Sequence, residues 1–144
     1  MILIQVFWKV LIIKKGFKKV NIPENLKYTK EHEWVKIDNN IITVGITDHA
    51  QGELGDIIFI EFPNKDQSVL KDEPFGTIEA VKTVADLFAP VSGKIIEIND
   101  SLEDSPQLVN SDAYGEGWIV KISEFNEKDI DGLLNANQYS EVLN

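Results

Sequence analysis

From Glu33 to Ile98 the sequence is a succession of short, apolar, β-branched runs, each stopped by a turn-forming residue, which leaves little room for a long helix. Glu33-Trp34-Val35-Lys36-Ile37 alternates apolar with polar, Asn39-Asn40 supplies a turn and Ile41 to Ile46 resumes the run, which predicts a hairpin. Thr47 predicts the cap of a helical turn over Asp48 to Leu54, with Gly55 stopping it. Asp56 to Phe62 reads as a strand halted by Pro63. Val69 to Leu70, Phe75 to Val81, Thr83 to Phe88 and Val91 to Ile98 continue as short strands, punctuated by Pro74, Gly76, Pro90 and Gly93. Turn signals so closely spaced predict a mostly β sandwich or barrel. Asp104 to Asn110 reads as a capped helical turn and Gly117 to Ile122 as a strand around Trp118. From Ser123 the period becomes helical, and Phe125, Ile130, Leu133, Leu134, Tyr139 and Val142 form an apolar stripe predicted to close one side of the sheets.

The 144 residues suit one compact domain that buries its core without help from disulfides or metal. There is no cysteine, which excludes a disulfide scaffold, a thiolate zinc site, a Cys nucleophile and any dithiol chemistry by the protein itself. Residues 1 to 20 are apolar and lysine-rich and hold no acid, so residues 21 to 144 set all 24 acids against nine lysines. That acidic body repels phosphate backbones and anionic lipid, and the chain has no arginine for bidentate phosphate contacts. Nucleic acid and membrane are therefore not expected partners, whereas basic-faced proteins are. The apolar stretch of residues 1 to 20 is interrupted by Gln5 and Lys9, is too short to span a bilayer, and places its positive charge after the apolar run, unlike a secretory signal. Two readings stay open for it: an upstream extension outside the core, read from a misassigned start, or an organelle-targeting segment.

Own-account catalysis finds little support. The two histidines, His32 and His49, form no nucleophile, phosphate-loop or metal-ligand spacing, and each reads as a surface or packing residue. Trp34 and Trp118 lie in alternating runs and read as core.

One segment departs from this plain picture. In Gly76-Thr77-Ile78-Glu79-Ala80-Val81-Lys82-Thr83-Val84-Ala85-Asp86-Leu87-Phe88-Ala89-Pro90-Val91-Ser92-Gly93, the residues Glu79, Val81, Lys82, Asp86, Ala89, Pro90 and Gly93 stand in a pattern that resembles the lipoylation hairpin of glycine cleavage H proteins. The resemblance continues through Leu26 to Val35 (LKYTKEHEWV), Gly45 to Gln51 with Leu54-Gly55-Asp56, and Asn110 to Trp118, covering almost all of residues 21 to 144. Lys82 is one of fourteen lysines, and an exposed loop lysine is their ordinary fate; this surrounding pattern singles it out. The spacing has physical sense. Two strands meeting at a tight turn push the tip side chain clear of both sheet faces, so a modifying enzyme can reach its amine. A group tethered there visits successive active sites at high effective concentration, provided its base is rigid.

The resemblance implies a barrel-sandwich hybrid, two small antiparallel sheets with short helices and a C-terminal helix. It also implies a carrier without catalytic residues, bearing covalent lipoate on Lys82. Its implied partners are glycine decarboxylase, an aminomethyltransferase, dihydrolipoamide dehydrogenase and a lipoylating enzyme, between which it carries an aminomethyl group and electrons. Glu33 and Asp86 match the family's candidates for a cleft that shelters the loaded arm, whose amine an acid can pair with. Some relatives place a histidine where Glu53 stands. A biotinyl-type carrier is the nearest rival, but such domains flank their lysine with methionines, and here Val81 and Thr83 stand on either side. The acyltransferase-type lipoyl domain, with an acid just before its lysine, fits less well. A lipoate storage or relay paralogue outside glycine breakdown, and a plain β interaction module, stay open. A monomer in the cytoplasm of a bacterial-type cell is the expected setting, with mitochondrion or plastid the alternative if residues 1 to 20 are a transit peptide.

Overall fold

The computed structural model describes residues 19 to 144. The readings of residues 1 to 18 lie outside them. Among the described residues nine strands make two antiparallel sheets. The larger runs in the order β1 (Lys27–Tyr28), β2 (Glu33–Asp38), β3 (Ile41–Ile46), β9 (Val120–Ser123), β8 (Gly93–Ile98), β5 (Ser68–Val69). The smaller is β4 (Ile57–Glu61), β6 (Pro74–Ala80), β7 (Val84–Phe88). With short helices between them, the sheets form the barrel-sandwich hybrid that the sequence led us to expect.

The β2–β3 hairpin turns at Asn39-Asn40, and Asn39 takes a left-handed φ of 57°, a conformation its short amide tolerates. Helix α1 (Asp48–Leu54) is capped as expected: the Thr47 hydroxyl accepts from the Ala50 N–H at 3.2 Å, and Gly55, at φ 83°, ends the helix by donating to the Gln51 carbonyl at 2.9 Å.

Two apolar clusters hold the fold. The larger fills the space between the sheets, with Val35, Ile42, Ile78, Leu87, Ile95 and Ile122 all at 1 % exposure or less. The smaller lies on the other face of β2, where Trp34 packs with Leu26, Tyr28, Ala136 and Tyr139. Tyr28 and Tyr139 stack with centroids 4.7 Å apart, fixing the last helix, α5 (Ala136–Val142), to β1.

Three expectations are corrected. The turn over Asp104 to Asn110 is two short helices, α2 (Ser101–Asp104) and α3 (Leu108–Ser111), and no side chain caps either. The strand around Trp118 begins only at Val120, because Ala113 to Gly117 are spent in turns in which the Gly115 and Gly117 amides return to the Asp112 carbonyl and the Glu116 amide to its carboxylate. The C-terminal apolar stripe does not cover one side. Phe125, Ile130 and Leu133 meet the larger cluster, Leu134 and Tyr139 the smaller, and Val142 is 41 % exposed. The split arises because Leu134 exchanges backbone hydrogen bonds with Tyr28, both 2.8 Å, so the chain turns between α4 (Glu127–Asp131) and α5.

Candidate functional site

Strands β6 and β7 pair from Pro74↔Phe88 to Glu79↔Val84, and Ala80 N–H donates to the Thr83 carbonyl at 2.7 Å, so only Val81 and Lys82 form the turn. Neither has positive φ, so this is not the mirror-image turn common in two-residue hairpins. A second anchor compensates. Val81 N–H donates to the Asp56 carbonyl at 3.1 Å, which ties the turn to the segment leaving α1. Lys82 is exposed at the apex, and its Cε would lie 3.7 Å from a Cβ built on Gly55, so the side chain leans over the end of α1.

On that side lies a cleft of about 280 Å³. Its walls are apolar, from Ala50, Leu54, Ile78 and Ala85, and its rim is polar, from Glu31, His32, His49, Glu53 and Asp86. His32, at φ 72°, shares a 2.8 Å hydrogen bond with the Tyr139 hydroxyl, and its ring lies 4.9 Å from that of His49. Burial, and then the neighbouring His49, lower the His32 pKa below the usual imidazole range.

Glu33 lies elsewhere. It is 2 % exposed, and it lines a neighbouring cavity of about 400 Å³ with Thr29, Lys30, Lys71, Phe88 and Leu134. The Thr29 hydroxyl donates to its Oε1 at 2.5 Å and the Phe88 N–H to its Oε2 at 3.3 Å. Burial pushes its pKa up to about 8, against the pull of those two donors. Glu33 and Asp86 thus line different cavities, and Glu31 lines both. Sequence reasoning passed over Glu31 and left both histidines and Glu53 without a role. The signal for α1 was the four-residue spacing of His49 and Glu53, which brings them to 4.0 Å on one helical face.

The raised pKa of Glu33 has a stability consequence with a definite sign. The folded chain keeps this proton up to pH about 8, whereas the unfolded chain releases it near 4.5, so stability falls as pH rises through that window and levels off above it. Urea unfolding at pH 5 and pH 8 should show a loss on the order of 2 kcal/mol in the wild type that Glu33→Gln lacks. Matching pH profiles for the two proteins would contradict the assignment.

Among the described residues no cluster of His, Asp and Glu could hold a metal ion, and no helix is long and apolar enough to cross a membrane. A rigid two-sheet scaffold that presents one lysine at a tight turn, beside a cleft with apolar walls, has the form of a carrier of a covalently held group. The comparisons define it further. The family described as Glycine cleavage H-protein matches residues 26–144. Glycine cleavage system H proteins of Staphylococcus carnosus and Staphylococcus haemolyticus are each 52% identical over 122 residues, which is 85% of this chain and 97% of theirs. The crystal structure of a glycine cleavage system H protein from Mycobacterium marinum superposes with a TM-score of 0.76 at 35% identity, covering 83% of this chain and 97% of that one. The chain belongs to the glycine cleavage H-protein family, whose members are carrier components and not enzymes.

Proposed function

We propose that Lys82 bears lipoate and that the chain shuttles between glycine decarboxylase, an aminomethyltransferase and dihydrolipoamide dehydrogenase, after a lipoylating enzyme has acylated it. The observation that carries this reading is the exposure of Lys82 at a turn anchored on both sides, in a chain of this family. Residues 21 to 144 constitute the carrier domain, residues 1 to 20 stand outside it, and the setting is the cytoplasm of a bacterial cell, as the staphylococcal relatives suggest.

The surroundings fit such a group. The cleft beside Lys82 has aliphatic walls to receive an acyl chain, and its carboxylates favour a cationic amine over an anion. Bound lipoate supplies a disulfide that accepts a one-carbon amine and electrons and is later reoxidised. The protein's share is positional. Hydrogen bonds from Ala80 and Val81 hold the base of the arm still, and Ala50, Leu54, Ile78 and Ala85 exclude water from one side of it. Asp86 and Glu31 stand at the cleft where an ammonium would arrive. Glu33 is the deeper partner. From the start of β2 it accepts from the N–H of Phe88, a residue six positions along the chain from Lys82, or roughly 20 Å in an extended strand, and it meets an incoming amine as a neutral acid that can give up its proton.

The test is reconstitution. Lipoylated protein mixed with glycine decarboxylase, aminomethyltransferase and dihydrolipoamide dehydrogenase should sustain glycine-dependent turnover, and Glu33→Ala should accept lipoate normally but release its loaded group sooner. A chain that is lipoylated yet supports no turnover with any such set would instead be a lipoate relay.

A further inference from the structure

The smaller sheet has an inner face packed on the core, through Ile60, Ile78 and Leu87, and an outer face that none of the described residues covers near the hairpin turn. Register places Phe59, Glu79 and Val84 in one row across that outer face. A β-bulge between Ile57 and Phe59 turns Ile58 out as well. Four large apolar side chains result on one end of one sheet: Ile58 at 50 % exposure, Phe59 at 56 %, Val84 at 59 % and Val81 at 72 %. Val81 adjoins Lys82 and Val84 lies two residues beyond it. The next row outward along the strands is polar, with Glu61, Thr77 and Asp86 in register and the Thr77 hydroxyl donating to Glu61 at 3.2 Å. Fold stability does not account for leaving these apolar groups in water. An apolar centre with a carboxylate border is the composition of a docking surface, and its partner must offer a matching apolar platform bordered by lysine or arginine.

Position selects the partner. An enzyme that works on the far end of a lipoyl arm meets this protein an arm's length from Lys82. Only the enzyme that first acylates the lysine must bring its active site to Nζ itself, and so must cover the turn and the strands beside it. There the amine attacks an activated lipoyl carbonyl, an amide forms, the bond to the leaving adenylate breaks and the amine loses a proton. We propose that Ile58, Phe59, Val81 and Val84 form the docking surface for the acyl-activating enzyme that lipoylates Lys82, and that carboxylates Glu61 and Asp86 steer its basic rim. The inference rests on the carrier reading above and adds to it the surface that admits the modifying partner.

The experiment uses the full-length, unmodified chain with a purified bacterial lipoate ligase, lipoate and ATP, reading lipoylation rate by intact mass. Phe59→Ser and Val84→Ser should each lower kcat/KM for lipoylation by about tenfold, and rising salt should slow the wild type. Leu70→Ser, at an apolar residue 64 % exposed outside the smaller sheet, should have no effect. Driven to complete lipoylation with excess ligase, the Phe59 and Val84 variants should then turn over with glycine decarboxylase as the wild type does. Unchanged lipoylation rates, or equal losses in lipoylation and in turnover of the fully lipoylated protein, would overturn the proposal. A concentration-dependent wild-type dimer that Phe59→Ser abolishes would also overturn it, by assigning the face to a second copy. A wild type that never gains mass at Lys82 would bring down the carrier reading itself.

Discussion

Lys82→Arg is expected to leave a folded protein that gains no lipoyl mass and supports no glycine-dependent turnover above background. The effect is all or none because the amine does covalent work, whereas arginine keeps the charge, the length and the exposure but offers no nucleophile at neutral pH. Structure argues that the fold will not notice. Lys82 is exposed, and the hydrogen bonds that hold its turn come from the backbones of Ala80, Thr83, Val81 and Asp56. Thermal unfolding of the variant should therefore match the wild type to within about 2 °C, which corresponds to well under 1 kcal/mol for a chain of this size. Residual turnover would show that another lysine, or no lysine, carries the group.

The second large effect is on stability, and it falls on Trp34. Its ring is 1 % exposed and lies against Gly45 on the neighbouring strand, where a Cβ would come within 2.6 Å of the indole. Its Nε1–H donates to the Ala113 carbonyl at 3.0 Å, and Tyr28, Tyr139 and Leu26 share its cluster. Trp34→Ala should cost about 3–5 kcal/mol, from lost burial and an unfilled cavity, which denaturant unfolding would read as a lower midpoint. The site should suffer with it. Tyr139, packed in that cluster, holds both Thr47 and His32 through its hydroxyl at 2.8 Å, so loosening it loosens the cap of α1 and the rim of the cleft. A loss below about 1 kcal/mol, the range of ordinary surface changes, would mean that the smaller cluster contributes little.

The parts of this protein that were readable in sequence are those fixed by neighbours in the chain. Thr47 and Gly55 bracket α1 because a cap needs only a residue type at each end. The β6–β7 hairpin was legible for the same reason, with the first strand read one residue too long, through Val81, and the family pattern is what singled out Lys82 among the lysines. Long-range pairing was not legible. Nothing local says that β9 lies between β3 and β8, or that β4 joins β6 in a separate sheet. The burial of Glu33 was hidden in the same way. On an alternating strand a glutamate reads as solvated, but β2 begins beneath both clusters, so Glu33, Trp34 and Val35 are all buried in succession. The split of Glu33 and Asp86 between two cavities follows from that burial, which the local pattern does not encode.

The central claim is that one amine, on Lys82, is the attachment point. Peptide mass spectrometry of the protein isolated from its natural cells tests it most directly. The account predicts the mass of an amide-linked lipoyl group on the peptide containing Lys82 and on no other lysine. A natural protein with Lys82 unmodified in glycine-degrading cells, or with the lipoyl mass on a different peptide, would contradict it.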